Sequence, residues 1–413
     1  VVIFGRATFN PSHSNECAYE SPILNPQSKK MTTIPKLHTL LGASLLLAAT
    51  AAYAKPVKVF ILAGQSNMDG QADIRTIDFL GEDKDPAKAA LLKTFKPDGK
   101  EFVTRDDVWV ASRGYHNLRT GLGGGGKDYS KPGNCIGPEY AFGYYMGQAL
   151  DEQILLIKFA PGGQSLNVNF RPPSAGKVGD PKLDDQILTK EVADQWNNGF
   201  QDHVVGMQYR NMVKCVHDTL GHLKQHFPTY NEKDGYEIAG FVWFQGYNDL
   251  GQAQAVYEKN LVCLINDVRK EFKAPEMKVV VGVMGVNGVS NETGKNKEIR
   301  GAQRAINAMP EFKGNAVAVE SAPLLHPDIV AIQTAGWLNK RDLKSNPVTA
   351  DEKAMLARAT SNKGYHYYGE GRFFILLGKA FADTMLELTG QGDKVLPPKL
   401  NGFAPPSAAP AGK

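Results

Sequence analysis

Continuous apolar runs that end abruptly in a glycine or a polar turn recur along the chain. Val59 to Ala63 stops at Gly64, Ile154 to Ala160 stops at Pro161-Gly-Gly163, and Phe241 to Phe244 stops at Gln245-Gly246. Such runs read as strands buried on both faces. Shorter stretches over 107–111, 278–283 and 316–319 read the same way. Between them, apolar residues at helical spacing predict helices over 140–150, 204–227, 252–272, 296–308 and 373–388, with a polar excursion and a short helix over 343–360. Residues 67–97 carry few periodic apolar positions and read as an extended loop. Strand and helix in alternation predict an α/β fold built on a parallel sheet covered on both faces.

Open α/β sheets bind ligands at the carboxyl ends of their strands, so the polar residues after each run are the candidates for chemistry. Gly64 can turn the chain sharply and deliver Gln65, Ser66 and Asn67 at the end of the first run. Ser66 is a candidate nucleophile at a helix start, where its own N–H and the helix dipole favour an oxyanion. Ser66-Asn-Met-Asp69 also fits a capping serine with an acidic residue three positions on. Ser165 is either a rival nucleophile or a turn serine that bonds its own backbone. Gln245 and Asn248 each carry an amide that can donate to an oxyanion, or can simply shape a turn. His366 lies in the loop that enters the last helix and is a candidate base or a structural histidine.

Other motifs carry less. Gly121 to Asp128 looks like a phosphate-binding loop, yet Asp128 stands where a Ser or Thr must hold magnesium and no apolar strand precedes it. His222 and His226 are four apart without an intervening Glu or a third ligand, which reads as a solvated helix face. No metal or cofactor is expected.

The 413 residues suffice for one large domain or two. A formal charge of +4, with no basic stripe, excludes nucleic acid as the expected partner. Met31, Lys36 and the apolar run Leu40 to Ala49 precede Ala52-Tyr-Ala54, the form of a signal-peptidase site. The expectation is an upstream leader over 1–30, a signal peptide over 31–54 cleaved after Ala54, and a secreted or periplasmic protein with no membrane span after cleavage. Cys135, Cys215 and Cys263 cannot all pair and match no zinc spacing, so they read as structural thiols. Residues 393–413, rich in Pro and Ala, read as a disordered tail.

Four blocks then occur in one order: Gly64-Gln-Ser-Asn67, Gly137-Pro-Glu139, Gln245-Gly-Tyr-Asn-Asp249 and Gly364-Tyr-His366. In that order they resemble the SGNH hydrolases, and more narrowly the sialate O-acetylesterase-like branch, carbohydrate esterase family six. The likeness runs from Lys55 to Gly390 and places the esterase domain over 55–392. It implies a three-layer, flavodoxin-like sandwich with a parallel sheet of about five strands. It also implies a serine esterase that removes O-acetyl groups from an acetylated carbohydrate without a metal. By the same resemblance Ser66 is the nucleophile and His366 the general base. The oxyanion hole would comprise the Ser66 N–H, a Gly137 N–H, and the side chain of Asn248 or Gln245, with Gln65, Asn67 and Glu139 contacting substrate.

Two positions depart from the resemblance. Tyr247 stands where many members of the branch carry Glu, and Lys363 stands where the superfamily has an Asp three residues before the histidine. Charged lysine accepts no hydrogen bond. Three arrangements follow: a backbone carbonyl near Lys363 orients His366, a remote carboxylate does so, or the chain is a carbohydrate-binding protein on a decayed scaffold. Among remote acids Glu320 is favoured, because it follows the 316–319 strand at the sheet's carboxyl end. Asp249 and Glu370 rank below it.

Overall fold

The computed structural model describes residues 55–124, 133–180, 182–184 and 205–400. The expected leader, the signal peptide, the end of the Gly-rich motif and the tail beyond Leu400 lie outside the described residues. The strands are β1 (Val57–Gly64), β2 (Ala72–Asp73), β3 (Arg105–Ala111), β4 (Tyr115–Leu118), β5 (Cys135–Ile136), β6 (Ile154–Phe159), β7 (Tyr236–Phe244), β8 (Lys278–Val283) and β9 (Ala316–Glu320). Seven of them form one sheet in the order β4-β3-β6-β1-β7-β8-β9. Every neighbouring pair is parallel except β3 with β4. A short antiparallel ladder joins β2 to β5.

The sheet is therefore wider than the five strands expected. Its edge strand β4, Tyr-His-Asn-Leu, buries only Leu118 and carries no apolar run by which a strand is recognised. The stretch 67–97 is also more ordered than a loop. Short helical turns over Ile74–Glu82, Pro86–Ala89 and Leu91–Phe95 bury Ile77, Leu80 and Phe95, and the tight 3₁₀ winding of the first breaks the 3.6-residue spacing sought in the sequence. The helix expected over 204–227 breaks at His222 into Met207–Gly221 and Leu223–His226.

Successive residues of β7 point to opposite faces, which fixes the layers. The Trp243 indole N–H donates to the Tyr257 hydroxyl of the helix Gln254–Glu271 at 3.4 Å. Phe244 meets Phe381 of the closing helix Gly371–Leu388 on the other side, ring centroids 5.8 Å apart. The helix Glu139–Ala149 shares that second face, with Phe142 edge-on to Phe60 of β1 at 5.5 Å. The result is a three-layer sandwich. The closing helix ends at Leu388, and its buried Lys379–Asp383 pair, 2.8 Å apart, takes further partners from the segment that follows. Lys379 donates to the Leu396 carbonyl and the Leu400 N–H donates to Asp383. No helix among the described residues is long and apolar enough to cross a membrane.

At the middle of the sheet β1 lies between β6 and β7. The chain leaves β1 toward β3 and β6 on one side and later reaches β7 on the other, so the carboxyl ends of these three strands frame a crevice. Gly64 closes β1 under tight constraint. A Cβ there would sit 2.2 Å from the Phe244 carbonyl oxygen, and only glycine lets the two backbones approach this closely.

Candidate active site

Beyond Gly64 the chain makes a single helical turn, Ser66–Asp69, whose N-cap residue is Gln65 rather than Ser66. The Gln65 carbonyl accepts from the N–H groups of Met68 and Asp69 at 2.8 and 2.9 Å. The turn is thus closed by backbone, and the capping reading of the Ser66 hydroxyl does not hold. That hydroxyl lies 2.9 Å from His366 Nε2. The Ser66 N–H has no hydrogen-bond partner among the described residues and stands at the start of the turn, where the dipole favours negative charge.

His366 arrives on the loop Gly364–Gly369, whose shape is held by its two following tyrosines. Tyr367 and Tyr368 adopt left-handed φ values of 52° and 59°, unusual for bulky residues. Tyr367 is wholly buried, stacked on Phe373 at 4.1 Å, and its hydroxyl accepts the Gly285 N–H. This packing sustains the backbone conformation that turns His366 toward Ser66. The loop is also tied to the nucleophile turn, since Asn67 Nδ2 donates to the Tyr365 carbonyl at 3.0 Å.

The other imidazole nitrogen, Nδ1, lies 3.1 Å from Oδ1 of Asn362. A neutral amide oxygen therefore stands where a carboxylate was sought. The Lys363 carbonyl is occupied by the N–H groups of His366 and Tyr368. Glu320 is not brought to His366: its carboxylate is held by the Arg304 guanidinium at 2.5 and 3.0 Å. Its strand does end at the expected edge, but β9 is the outermost strand of the sheet, three positions from β1. Glu370 faces Arg372 and the His326 N–H, and complete burial pushes its carboxyl up to about 7. Partial burial, with no charged neighbour to offset it, holds His366 down at about 4. The imidazole is therefore neutral, and able to accept a proton, throughout the neutral range.

The oxyanion candidates separate. Asn248 Oδ1 accepts from Gln65 Nε2 at 2.9 Å, which turns its Nδ2 away from Gln65, and no described residue bonds that NH₂ group. Gln245 is wholly committed inside the protein: its Nε2 donates to Gln65, to the Gln164 carbonyl and to Asp249, and its Oε1 accepts from the Tyr257 hydroxyl. Asp249 is buried beneath it and also accepts the N–H groups of Leu166 and Asn167, fastening the loop after β6 to the turn after β7. Desolvation raises its carboxyl pKa.

Gly137 is not at the site. It packs against Gly70, where a Cβ would lie 2.2 Å from its Cα, and its N–H donates to Glu139 at 3.0 Å. Glu139 is wholly buried and paired with Lys158 at 3.2 Å, and Lys158 in turn donates to the carbonyls of Asp69 and Leu122. The second block is thus a buttress under the nucleophile turn, and Glu139 has no access to a ligand. Asn67 likewise braces, and Gln65 both borders the cleft and bridges Asn248 to Gln245. The glycine beside the nucleophile is Gly162, where a Cβ would lie 3.6 Å from Ser66 Cβ. Ser165 sits in its own turn, bonded to Asn169 and accepting the Val168 N–H, and does not face the cleft.

The nucleophile, His366 and Asn248 border an open cleft of about 860 Å³, also lined by Arg113 and Gln71, with the exposed Tyr247 and Tyr365 at its mouth. A family model described as carbohydrate esterase, sialic acid-specific acetylesterase, matches residues 56–334. The chain belongs to that family. The match of this sialic acid-specific acetylesterase family takes in all nine strands of the described residues and ends before the His366 loop, so the histidine enters through the geometry. Solved structures similar to this chain include a protein from Arabidopsis thaliana, at 16% identity over 80% of this chain and 98% of that one, TM-score 0.43. NanS is similar at 13% identity over 82% and 99% of the two chains, TM-score 0.45. A carbohydrate acetylesterase from Xanthomonas citri is similar at 14% identity over 65% and 51%, TM-score 0.36. A comparison with curated proteins finds no match.

Sequence reasoning missed Asn362, Gly162, Arg113 and the two mouth tyrosines. Asn362 lies four residues before His366 and carries a side-chain acceptor, a third possibility beside the backbone carbonyl and the remote carboxylate.

Proposed function

We propose that the protein is an exported serine esterase that removes O-acetyl groups from a carbohydrate. Ser66 Oγ attacks the acetyl carbonyl while His366 Nε2 takes its proton. The resulting oxyanion lies among the Ser66 N–H, the Asn248 amide and the Gly162 N–H. Collapse expels the sugar oxygen, which receives the proton from His366 and leaves an acetyl group on Ser66. Water then repeats the sequence: it gives a proton to His366, attacks the acetyl carbon, and releases acetate as Ser66 regains its hydrogen.

The observation that carries this reading is the 2.9 Å contact between Ser66 Oγ and His366 Nε2 at the floor of the cleft. The alternative, a binding protein on a decayed scaffold, drew on Lys363; Asn362 supplies an acceptor in its place and removes that motive. Export rests on the 31–54 sequence alone. Acetate release from O-acetylated N-acetylneuraminic acid and acetylated xylo-oligosaccharides tests the proposal. Wild type is expected to release acetate from at least one, and Ser66→Ala to lose several orders of magnitude. Equal rates in both proteins would reject it.

A further inference from the structure

Large apolar side chains are seldom left in water together without a reason, and two of the chain's exposed aromatics meet at the mouth of the cleft. Tyr247 is 36% and Tyr365 44% exposed, and their ring centroids are 5.8 Å apart with planes inclined at 41°. They come from different blocks, Tyr247 from the turn after β7 and Tyr365 from the residue before His366. Neither hydroxyl has a hydrogen-bond partner among the described residues, so the rings are not placed there to serve a polar contact of the fold.

Both are held by backbone. Tyr247 opens the turn that Asp249 anchors, and the Tyr365 carbonyl takes the Asn67 amide. Tyr365 also meets the His366 ring edge-to-face at 4.5 Å, so whatever rests on it sits immediately beside the reacting hydroxyl. Rigid aromatic faces at a cleft mouth suit a ligand with an apolar face and a polar rim. A pyranose ring has that character: axial C–H groups on one face, hydroxyls around its edge.

We infer that Tyr247 and Tyr365 form a platform for the pyranose ring that carries, or adjoins, the acetyl ester, and that this platform selects sugar esters over simple acetates. The inference rests on the esterase reading above. Tyr247 and Tyr365 both line the cleft that holds Ser66 and His366, so a ring resting on them lies within reach of the nucleophile.

The test compares acetate release from an acetylated sugar with release from ethyl acetate, which has no ring to stack. The sugar is whichever of O-acetylated N-acetylneuraminic acid or acetylated xylo-oligosaccharide wild type hydrolyses. In Tyr247→Ala and in the Tyr247→Ala/Tyr365→Ala double variant the ratio of kcat/KM values is expected to fall about tenfold, through KM for the sugar, while Tyr247→Phe and Tyr365→Phe keep the wild-type ratio. An unchanged ratio in the double alanine variant overturns the platform, as does an equal loss in the phenylalanine variants. Calorimetric binding of the same sugars separates this inference from the esterase reading. Should wild type hydrolyse neither, binding that is lost in the double alanine variant still supports the platform, and absence of binding by wild type overturns it.

Discussion

His366 Nδ1 is 3.1 Å from the side-chain oxygen of Asn362, four residues earlier in the chain. The amide accepts the Nδ1 proton and so leaves the Nε2 lone pair facing Ser66, which is the orienting half of what a carboxylate does. It brings no negative charge to the imidazolium that forms during attack. Replacing Asn362 by Leu is expected to lower kcat by about 10- to 100-fold, a share of the roughly 10⁴-fold effect of losing a triad carboxylate. Steady-state kinetics on a sugar acetate, with circular dichroism to verify the fold, checks it.

The protonation of His366 sets a pH signature. With its pKa held at about 4, the rate should stay level from neutral pH to about pH 5 and fall near pH 4. Asn362→Asp is expected to shift that acid limb upward, since an adjacent carboxylate favours the charged imidazole. Stability follows the same sign. A folded pKa below the unfolded value of about 6.5 contributes stability that is complete above pH 6.5 and is lost as pH falls toward 4. The pH profile of kcat/KM in both proteins, with unfolding midpoints over the same range, measures the two effects.

Asn248 is expected to act on the transition state. Asn248→Ala should lower kcat by about 10²- to 10³-fold with little change in KM, as for loss of an oxyanion-hole donor. Gln65→Ala should reproduce part of that loss, because it frees the Asn248 amide to rotate. Comparison of kcat and KM in the two variants against wild type decides it.

The Glu139–Lys158 pair is expected to govern stability. Both side chains are sealed from water, so Lys158→Met leaves a buried carboxylate unpaired and should cost about 3–5 kcal/mol. The double variant with Glu139→Gln should recover part of that. Denaturant unfolding of the three proteins reads the difference directly.

How far the sequence reveals this protein can be followed along β1, β6 and β7. Buried parallel strands are written as unbroken apolar runs, so all six parallel strands of the main sheet were legible, and with them the crevice at their carboxyl ends. Ser66 and His366 were legible as candidates, through blocks whose order resembles a family, and the fold brings them within 2.9 Å of one another. What failed was local. Gly137 was implied as an oxyanion donor by the resemblance, yet its N–H is satisfied by Glu139 from within its own block. Glu320 looked like the orienting acid because it ends a strand, but an edge strand ends far from the centre, and Arg304 was there to claim it. Such partners are set by tertiary contacts across the chain, as when Gln65 meets Asn248 over 183 positions, and no spacing in the sequence records them.

Active-site labelling tests most directly whether Ser66 is the nucleophile. Treating the protein with a serine-directed organophosphate and mapping the adduct by peptide mass spectrometry should place the phosphoryl group on Ser66, with acetate-releasing activity lost in proportion to labelling. His366→Ala should abolish the adduct. Labelling at Ser165 instead, or full activity in completely labelled protein, would contradict the account.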